Sequence, residues 1–218
     1  MDAVAAPPGF FITVEGIDGA GKSTQVERLA ALLTARGHRL VGTREPGATA
    51  LGRELRRMVL GREIALAPDA ELLLFLADRA EHVATVIAPA LRSGAVVLCD
   101  RFSDSTLAYQ GWGRERELER VRRWNDEASG GLQPDLTLLL DCPIEVGAER
   151  RQRETDRYQV LHPTFHERVR RGFLSEAAAA PERIRVIDAS RDLDVVTAEV
   201  ARVTLERLAA RGVVGDVR

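Results

Sequence analysis

Apolar residues form five short unbroken runs along the chain, and between these runs they return every three or four positions. The runs are Phe10 to Glu15, Arg39 to Thr43, Ala95 to Asp100, Leu136 to Asp141 and Ile184 to Asp188. Short runs rich in Val, Ile, Leu and Phe, without alternation, fit strands buried on both faces. The three-and-four spacing predicts helices over Thr24 to Arg36, Ala50 to Leu60, Asp69 to Arg92, Leu118 to Ala128, Thr164 to Ala178 and Leu193 to Ala210. Strands alternating with helices predict an α/β three-layer sandwich, a five-stranded parallel sheet with helices on both faces. Ligands of such sheets gather at the carboxyl ends of the strands. Here those ends carry Glu15, Arg44-Glu45, Asp100-Arg101, Asp141 and Asp188.

Composition narrows this picture without changing it. With 218 residues, 45% of them hydrophobic, and no compositional break, residues 1–218 read as one domain around one core. A net charge of −2 excludes the broad basic field of a nucleic-acid binder, so free nucleotides are expected in place of polymers. Cys99 and Cys142 each close a strand-like run, and neither belongs to a C-x-x-C pair. Both read as buried small hydrophobes. No apolar stretch approaches the roughly 18 residues that span a bilayer. Residues 1–9 lack the basic end and apolar core of a signal peptide and read as a flexible tail. A soluble cytoplasmic protein is expected.

The chain's only lysine, Lys22, closes the run Gly16-Ile17-Asp18-Gly19-Ala20-Gly21-Lys22-Ser23, followed by Thr24. This is the spacing of a phosphate-binding P-loop, whose backbone N–H groups wrap a polyphosphate while the lysine reaches its outer phosphates. An ammonium is a compact point charge on a flexible stem, whereas a guanidinium is a wide planar fork. The loop lies between a predicted strand and a predicted helix, so the helix N-terminus directs its free N–H groups at the anion. Asp100, closing the third strand, is placed to hold Mg²⁺ together with Ser23. Arg44 and Arg101 follow the second and third strands as two further forks suited to phosphate, more than one nucleoside triphosphate needs. Two phosphate sites point to two nucleotides.

The order of these motifs resembles the thymidylate kinase family from Phe11 to about Arg202. The resemblance is carried by residues 15–25, the Arg44-Glu45-Pro46-Gly47 turn, Phe75 with Asp78-Arg79-Ala80, Asp100-Arg101-Phe102, and Ser105-Thr106-Leu107-Ala108-Tyr109-Gln110-Gly111. It implies a P-loop NTPase fold, ATP with Mg²⁺, and transfer of a phosphoryl group to dTMP. It also implies a homodimer built on helices such as 69–92.

The same resemblance implies roles for individual residues. Gly16, Ile17, Asp18, Gly19, Ala20, Gly21, Lys22, Ser23 and Thr24 would hold ATP, with Arg150 beside the adenine and residues 189–191 near it. Phe75 would stack on thymine, and Arg79, one helical turn later, would donate to a base carbonyl. Arg44 and Arg101 would clamp the dTMP phosphate, and Asp18 would meet the 3′-hydroxyl. Pro46, Ser105, Tyr109 and Gln110 would line the sugar and base pocket, Tyr109 crowding the 2′ position. Gly19 matches the bacterial branch, in which a lid supplies the catalytic arginine. Within the lid, residues 143–160, Arg153 would take that role, with Arg151 and Arg157 next in order. Lys22, Arg101, Arg153 and Asp18 thus form the expected catalytic set. No general base is required, because a phosphate monoester has a second pKa near 6 and is already anionic at neutral pH.

Three residues depart from the family pattern: Ala48 where a second glycine is usual, Gln159 where an acid is usual, and Phe173 in place of a frequent tyrosine. Other readings fit less well. A deoxynucleoside kinase would need a base for an uncharged hydroxyl and no second phosphate clamp. A GTPase would need an Asn-Lys-x-Asp motif, which a chain whose single lysine is Lys22 cannot contain. A nucleic-acid-bound ATPase would want a basic groove, but Glu115, Glu117 and Glu119 interrupt the arginines around Trp112 and Trp124, as on a solvated, salt-bridged helix. The four histidines show no metal-ligand spacing.

Overall fold

The computed structural model describes residues 9–150 and 156–215. Five parallel strands, β1 (Phe10–Glu15), β2 (Leu40–Arg44), β3 (Val96–Asp100), β4 (Leu136–Asp141) and β5 (Ile184–Asp188), stand in the order β2-β3-β1-β4-β5. β1 pairs with β3 and β4, so Ile12 lies between Leu98 and Leu136. The three central strands are almost wholly buried and carry the longest apolar runs, whereas the edge strands β2 and β5 are part exposed. This is the expected α/β layering, and it brings the P-loop and the ends of β2 and β3 together on one rim.

The helices are α1 (Lys22–Ala35), α2 (Ala50–Leu60), α3 (Pro68–His82), α4 (Ala88–Arg92), α5 (Ser103–Thr106), α6 (Leu118–Ser129), α7 (Ile144–Arg150), α8 (Pro163–Ala179) and α9 (Leu193–Ala210). Their ends follow local chemistry. Thr49 caps α2 by accepting the Gly52 N–H, Pro68 and Pro163 open α3 and α8, and Gly130 ends α6 in the left-handed conformation. The helix expected over Asp69 to Arg92 is divided by a π-helical turn, Val83–Ile87. Pro89 has no N–H for the α-helical ladder and crowds the carbonyl one turn earlier, and the wider turn accommodates both. Residues 103–113, unread as helix in the sequence, form α5 and a second π-helical turn, Leu107–Gly113. Their polar and glycine content gives no apolar period.

Cys99 and Cys142 are buried and free, as expected. Several of the arginines near the two tryptophans are paired: Arg116 and Arg120 meet Asp69, Arg122 meets Glu176, and Arg120 also lies 4.2 Å over the Trp124 ring. Of the three departures, Ala48 needs no glycine, since among the described residues Arg101 and Glu115 are the non-glycine positions with positive φ. Phe173 packs edge-on against Tyr109 at 6.2 Å, a contact that needs only a ring. Gln159 lines a broad cavity on the rim beside the P-loop.

Candidate active site

Two cavities open on the rim. The wider, about 770 Å³, is lined by the loop from Asp18 to Ser23, Thr24, Arg44, Asp100, Arg150, Gln159, Ala189 and Arg191. The narrower, about 130 Å³, is lined by Pro46, Leu60, Phe75, Arg79, Phe102, Ser105, Thr106, Tyr109, Gln110 and Tyr158. They meet along Asp18, Glu45, Arg56, Arg101 and Asp156.

The loop is held open by its glycines. Gly16 has φ +137° and Gly19 φ +84°, and a Cβ on either would strike a backbone carbonyl, of Leu140 and Gly147 respectively. Gly147 on α7 approaches in return, its own Cβ direction 2.8 Å from the Asp18 carbonyl. Loop and helix therefore touch backbone to backbone, which excludes any side chain at position 19. Lys22 donates to the carbonyls of Gly16 (3.1 Å) and Ile17 (2.9 Å). Its ammonium is buried, and that burial, with Arg101 nearby, lowers its pKa to about 8.

Arg101 is the hinge of the site. Its backbone is left-handed at φ 69°, in the turn between β3 and α5. Its guanidinium donates to Asp18 (2.5 Å), to the Gly16 carbonyl (2.9 Å) and to Ser105 (3.0 Å), and it lies 5.2 Å over the Tyr109 ring. Glu15 anchors the turn from below: it accepts the Phe102 N–H (2.7 Å) and the Ser105 hydroxyl (2.6 Å). Burial, then the charge of Asp104, pushes Glu15 up to about 7.

Cations crowd the border between the cavities. Arg56 donates to the Pro46 carbonyl, and burial followed by Arg44 and Arg101 lowers its pKa. Arg44 is exposed and has no hydrogen bond or ion pair among the described residues, because Glu45 turns away to Arg79 and His82. Such a cluster calls for an anion. The Oδ1 of Asp100 is buried with no hydrogen-bond partner among the described residues, while Ser23 is exposed in the same cavity.

Most residues expected from the sequence come together here. Asp18, Pro46, Phe75, Arg79, Arg101, Ser105, Tyr109 and Gln110 line the narrow cavity, while Arg44 faces the wide one. Gly16 and Ile17 contribute carbonyls to Lys22 and Arg101 beneath the cavity floor. Arg150 donates to the Ala189 carbonyl at 2.7 Å, which joins α7 to the end of β5. Arg151 and Arg153 lie outside the described residues. Arg157 lines neither cavity: its side chain donates to the carbonyls of Gly61 (2.7 Å) and Ile64 (2.5 Å). Sequence reasoning missed Arg56, Leu60, Asp156 and Tyr158. Arg56 and Leu60 lie on the helix expected over residues 50–60, and Asp156 and Tyr158 in the lid expected over 143–160, but none of the four carries a motif of its own.

Beside that turn, Asp78 accepts the Gly47 N–H with one oxygen (3.1 Å), while the other is buried without a hydrogen bond. Burial, then Glu45, raises its pKa from 3.8 to about 6. A pKa raised on folding contributes stability that is fully present below 3.8 and lost as pH rises through about 6. Asp78→Asn removes the ionised form, so it is expected to raise Tm at pH 8 by about 2–4 °C and to give no gain at pH 5. Thermal melts at the two pH values check this.

A P-loop beside a second, aromatic-lined cavity, with arginines where the two meet, defines a P-loop NTPase built for two ligands. Comparison with known proteins specifies the family. The thymidylate kinase family model matches residues 14–200. A thymidylate kinase of Geobacter sulfurreducens is 49% identical over 212 residues, covering 93% of this chain and all of the relative. One from Desulfovibrio desulfuricans is 56% identical over 191 residues, 83% of this chain and 88% of the relative. The crystal structure of thymidylate kinase from Ehrlichia chaffeensis superposes with a TM-score of 0.75 at 36% identity, covering 91% of this chain and 99% of that one. The chain belongs to the thymidylate kinase family.

Proposed function

We propose that the wide cavity holds ATP and the narrow one dTMP, their phosphates facing each other across Arg101. The reaction is that of the family, phosphorylation of dTMP to dTDP. The observation that carries the two-site reading is the crowding of cations where the cavities meet: Arg56 and Arg101 line both, and Arg44 lines the wide one beside them. Phosphate dianions relieve that repulsion and accept paired N–H donors.

In this reading Phe75 stacks on thymine and Arg79 donates to a base carbonyl. Gln110, Pro46, Ser105 and Tyr109 close round the base and sugar, and Asp18 meets the sugar hydroxyl. Arg101, with Arg44 and Arg56, orients the acceptor phosphate in line with the donor. Lys22 exchanges its loop carbonyls for the outer phosphates of ATP, and Arg153 completes the charge neutralisation from the lid. Mg²⁺ fits the unpartnered Asp100 oxygen together with the Ser23 hydroxyl, an oxygen donor set suited to a hard cation. When bound, the ion neutralises charge on phosphate oxygens. The acceptor oxygen is already anionic, so no side chain has to remove a proton. A homodimer through α3, where Leu73 is 51% exposed, and a cytoplasmic setting belong to the same reading.

ADP release measured with ATP, Mg²⁺ and separate acceptors tests it. Turnover is expected with dTMP well above dCMP, dGMP, AMP and thymidine. Preference for thymidine would move the chain to nucleoside phosphorylation, and release indifferent to the acceptor would remove the second site.

A further inference from the structure

Arg79 is gripped on almost every donor it has. Nε (3.0 Å) and Nη2 (2.7 Å) donate to one oxygen of Glu45, and Nη1 donates to Thr106 (2.9 Å) and to Asn125. Four of the five N–H hydrogens of a guanidinium are thereby engaged. The fifth, on Nη2, has no partner among the described residues, and Arg79 lines the narrow cavity. The direction of that last N–H is set jointly by Glu45 on one edge of the guanidinium and by Thr106 and Asn125 on the other.

Glu45 is held by His82. The second Glu45 oxygen lies 2.9 Å from His82 Nδ1, and His82 Nε2 lies 2.6 Å from the Thr43 hydroxyl. His82 is fully buried and lines neither cavity, so water does not compete for its nitrogens and substrate does not reach it. Imidazole that donates Nδ1–H to the carboxylate leaves Nε2 to accept the Thr43 proton, so both ring nitrogens are satisfied in one tautomer. Asp78, the other carboxylate near Glu45, repels it, and Arg79 sits 4.9 Å over the Phe102 ring, a contact that permits tilting. Among the described residues, His82 is the one hydrogen-bond partner of that second oxygen.

We propose that His82 is a positioning residue for base discrimination: through Glu45 it fixes Arg79 so that the remaining N–H meets a pyrimidine carbonyl and rejects an amino group. The proposal rests on the reading of the narrow cavity as the dTMP site. A thymine offers a carbonyl at position 4 where cytosine offers an amino group, and a donor facing a donor is the mismatch a buried polar site penalises most.

The test is the ratio of kcat/KM for dTMP to kcat/KM for dCMP. A role in stability alone would lower activity on both acceptors alike and leave the ratio unmoved. Arg79→Ala is expected to collapse the ratio. His82→Leu is expected to lower it about tenfold, the scale of one hydrogen bond to a charged group. His82→Asn, which keeps an N–H near the Nδ1 position, is expected to restore most of that loss. Thr43→Val removes the hydroxyl at the far end of the chain with little change of shape. It is expected to lower the ratio about threefold, and it decides the matter if His82→Leu does not fold. If Arg79→Ala collapses the ratio while His82→Leu and Thr43→Val leave it unchanged, the positioning role is overturned and the dTMP site stands. An unchanged ratio in Arg79→Ala overturns the base-reading contact and the inference with it.

Discussion

Arg101→Ala is expected to lower kcat/KM for dTMP by about 10³-fold, or roughly 4 kcal/mol, the cost of truncating one partner of a desolvated charge pair. The side chain serves both cavities at once. It joins the P-loop through Asp18 and the Gly16 carbonyl, and the narrow cavity through Ser105 and Tyr109. Burial alone would disfavour its charge, but Tyr109, Asp18, Glu15 and Asp100 together raise its pKa, so it is a permanent cation. Losing it removes a cation from the border of the two cavities and the nearest positive partner of Asp18, so the negative charge there weighs more heavily on bound phosphates. Arg101→Lys is expected to recover little, because one ammonium cannot reach loop, serine and phosphate together. Steady-state kinetics with dTMP varied check this; a loss below tenfold would remove Arg101 from the clamp.

Lys22→Met is expected to lower kcat by about 10²- to 10³-fold, the range seen when a preorganised donor to developing charge is removed. ATP affinity should fall less, since the loop N–H groups and the N-terminus of α1 remain. Methionine keeps much of the stem length and the apolar packing, so the change isolates the charge. The lysine is buried, and in the structure its hydrogen bonds go to two loop carbonyls, an arrangement a phosphate can replace at little cost in reorganisation. Single-turnover transfer and ATP binding, measured on the same variant, separate the two effects. A variant that binds ATP poorly but transfers normally once saturated would assign Lys22 to binding alone.

The sheet was legible because its strands are uniform. All five runs of apolar residues became strands, with edges differing by one residue at β2 and β3, since burial on both faces leaves one signal in sequence and in space. The loop was legible because Gly16, Gly19 and Gly21 all take positive φ, a demand of the loop's own backbone. What the sequence hid was side-chain trajectory. Glu45 is next to Arg44 in the chain, yet its side chain turns inward to Arg79 and His82, a choice made by three elements packing together. Arg56 carries no motif, and only the return of α2 toward the strand ends brings it to the border. The π-helical turn at Leu107–Gly113 is likewise tertiary: Gly113 is required by Phe165 and Val169 of α8, a contact far away in sequence.

The central claim is that one phosphoryl group passes between two nucleotides held on either side of Arg101. Following the label of γ-³²P-ATP in the presence and absence of dTMP tests it most directly. Label is expected to appear in dTDP in step with ADP, with inorganic phosphate a minor product that does not rise when dTMP is omitted. Label released as inorganic phosphate at the same rate with or without dTMP would contradict the two-nucleotide account.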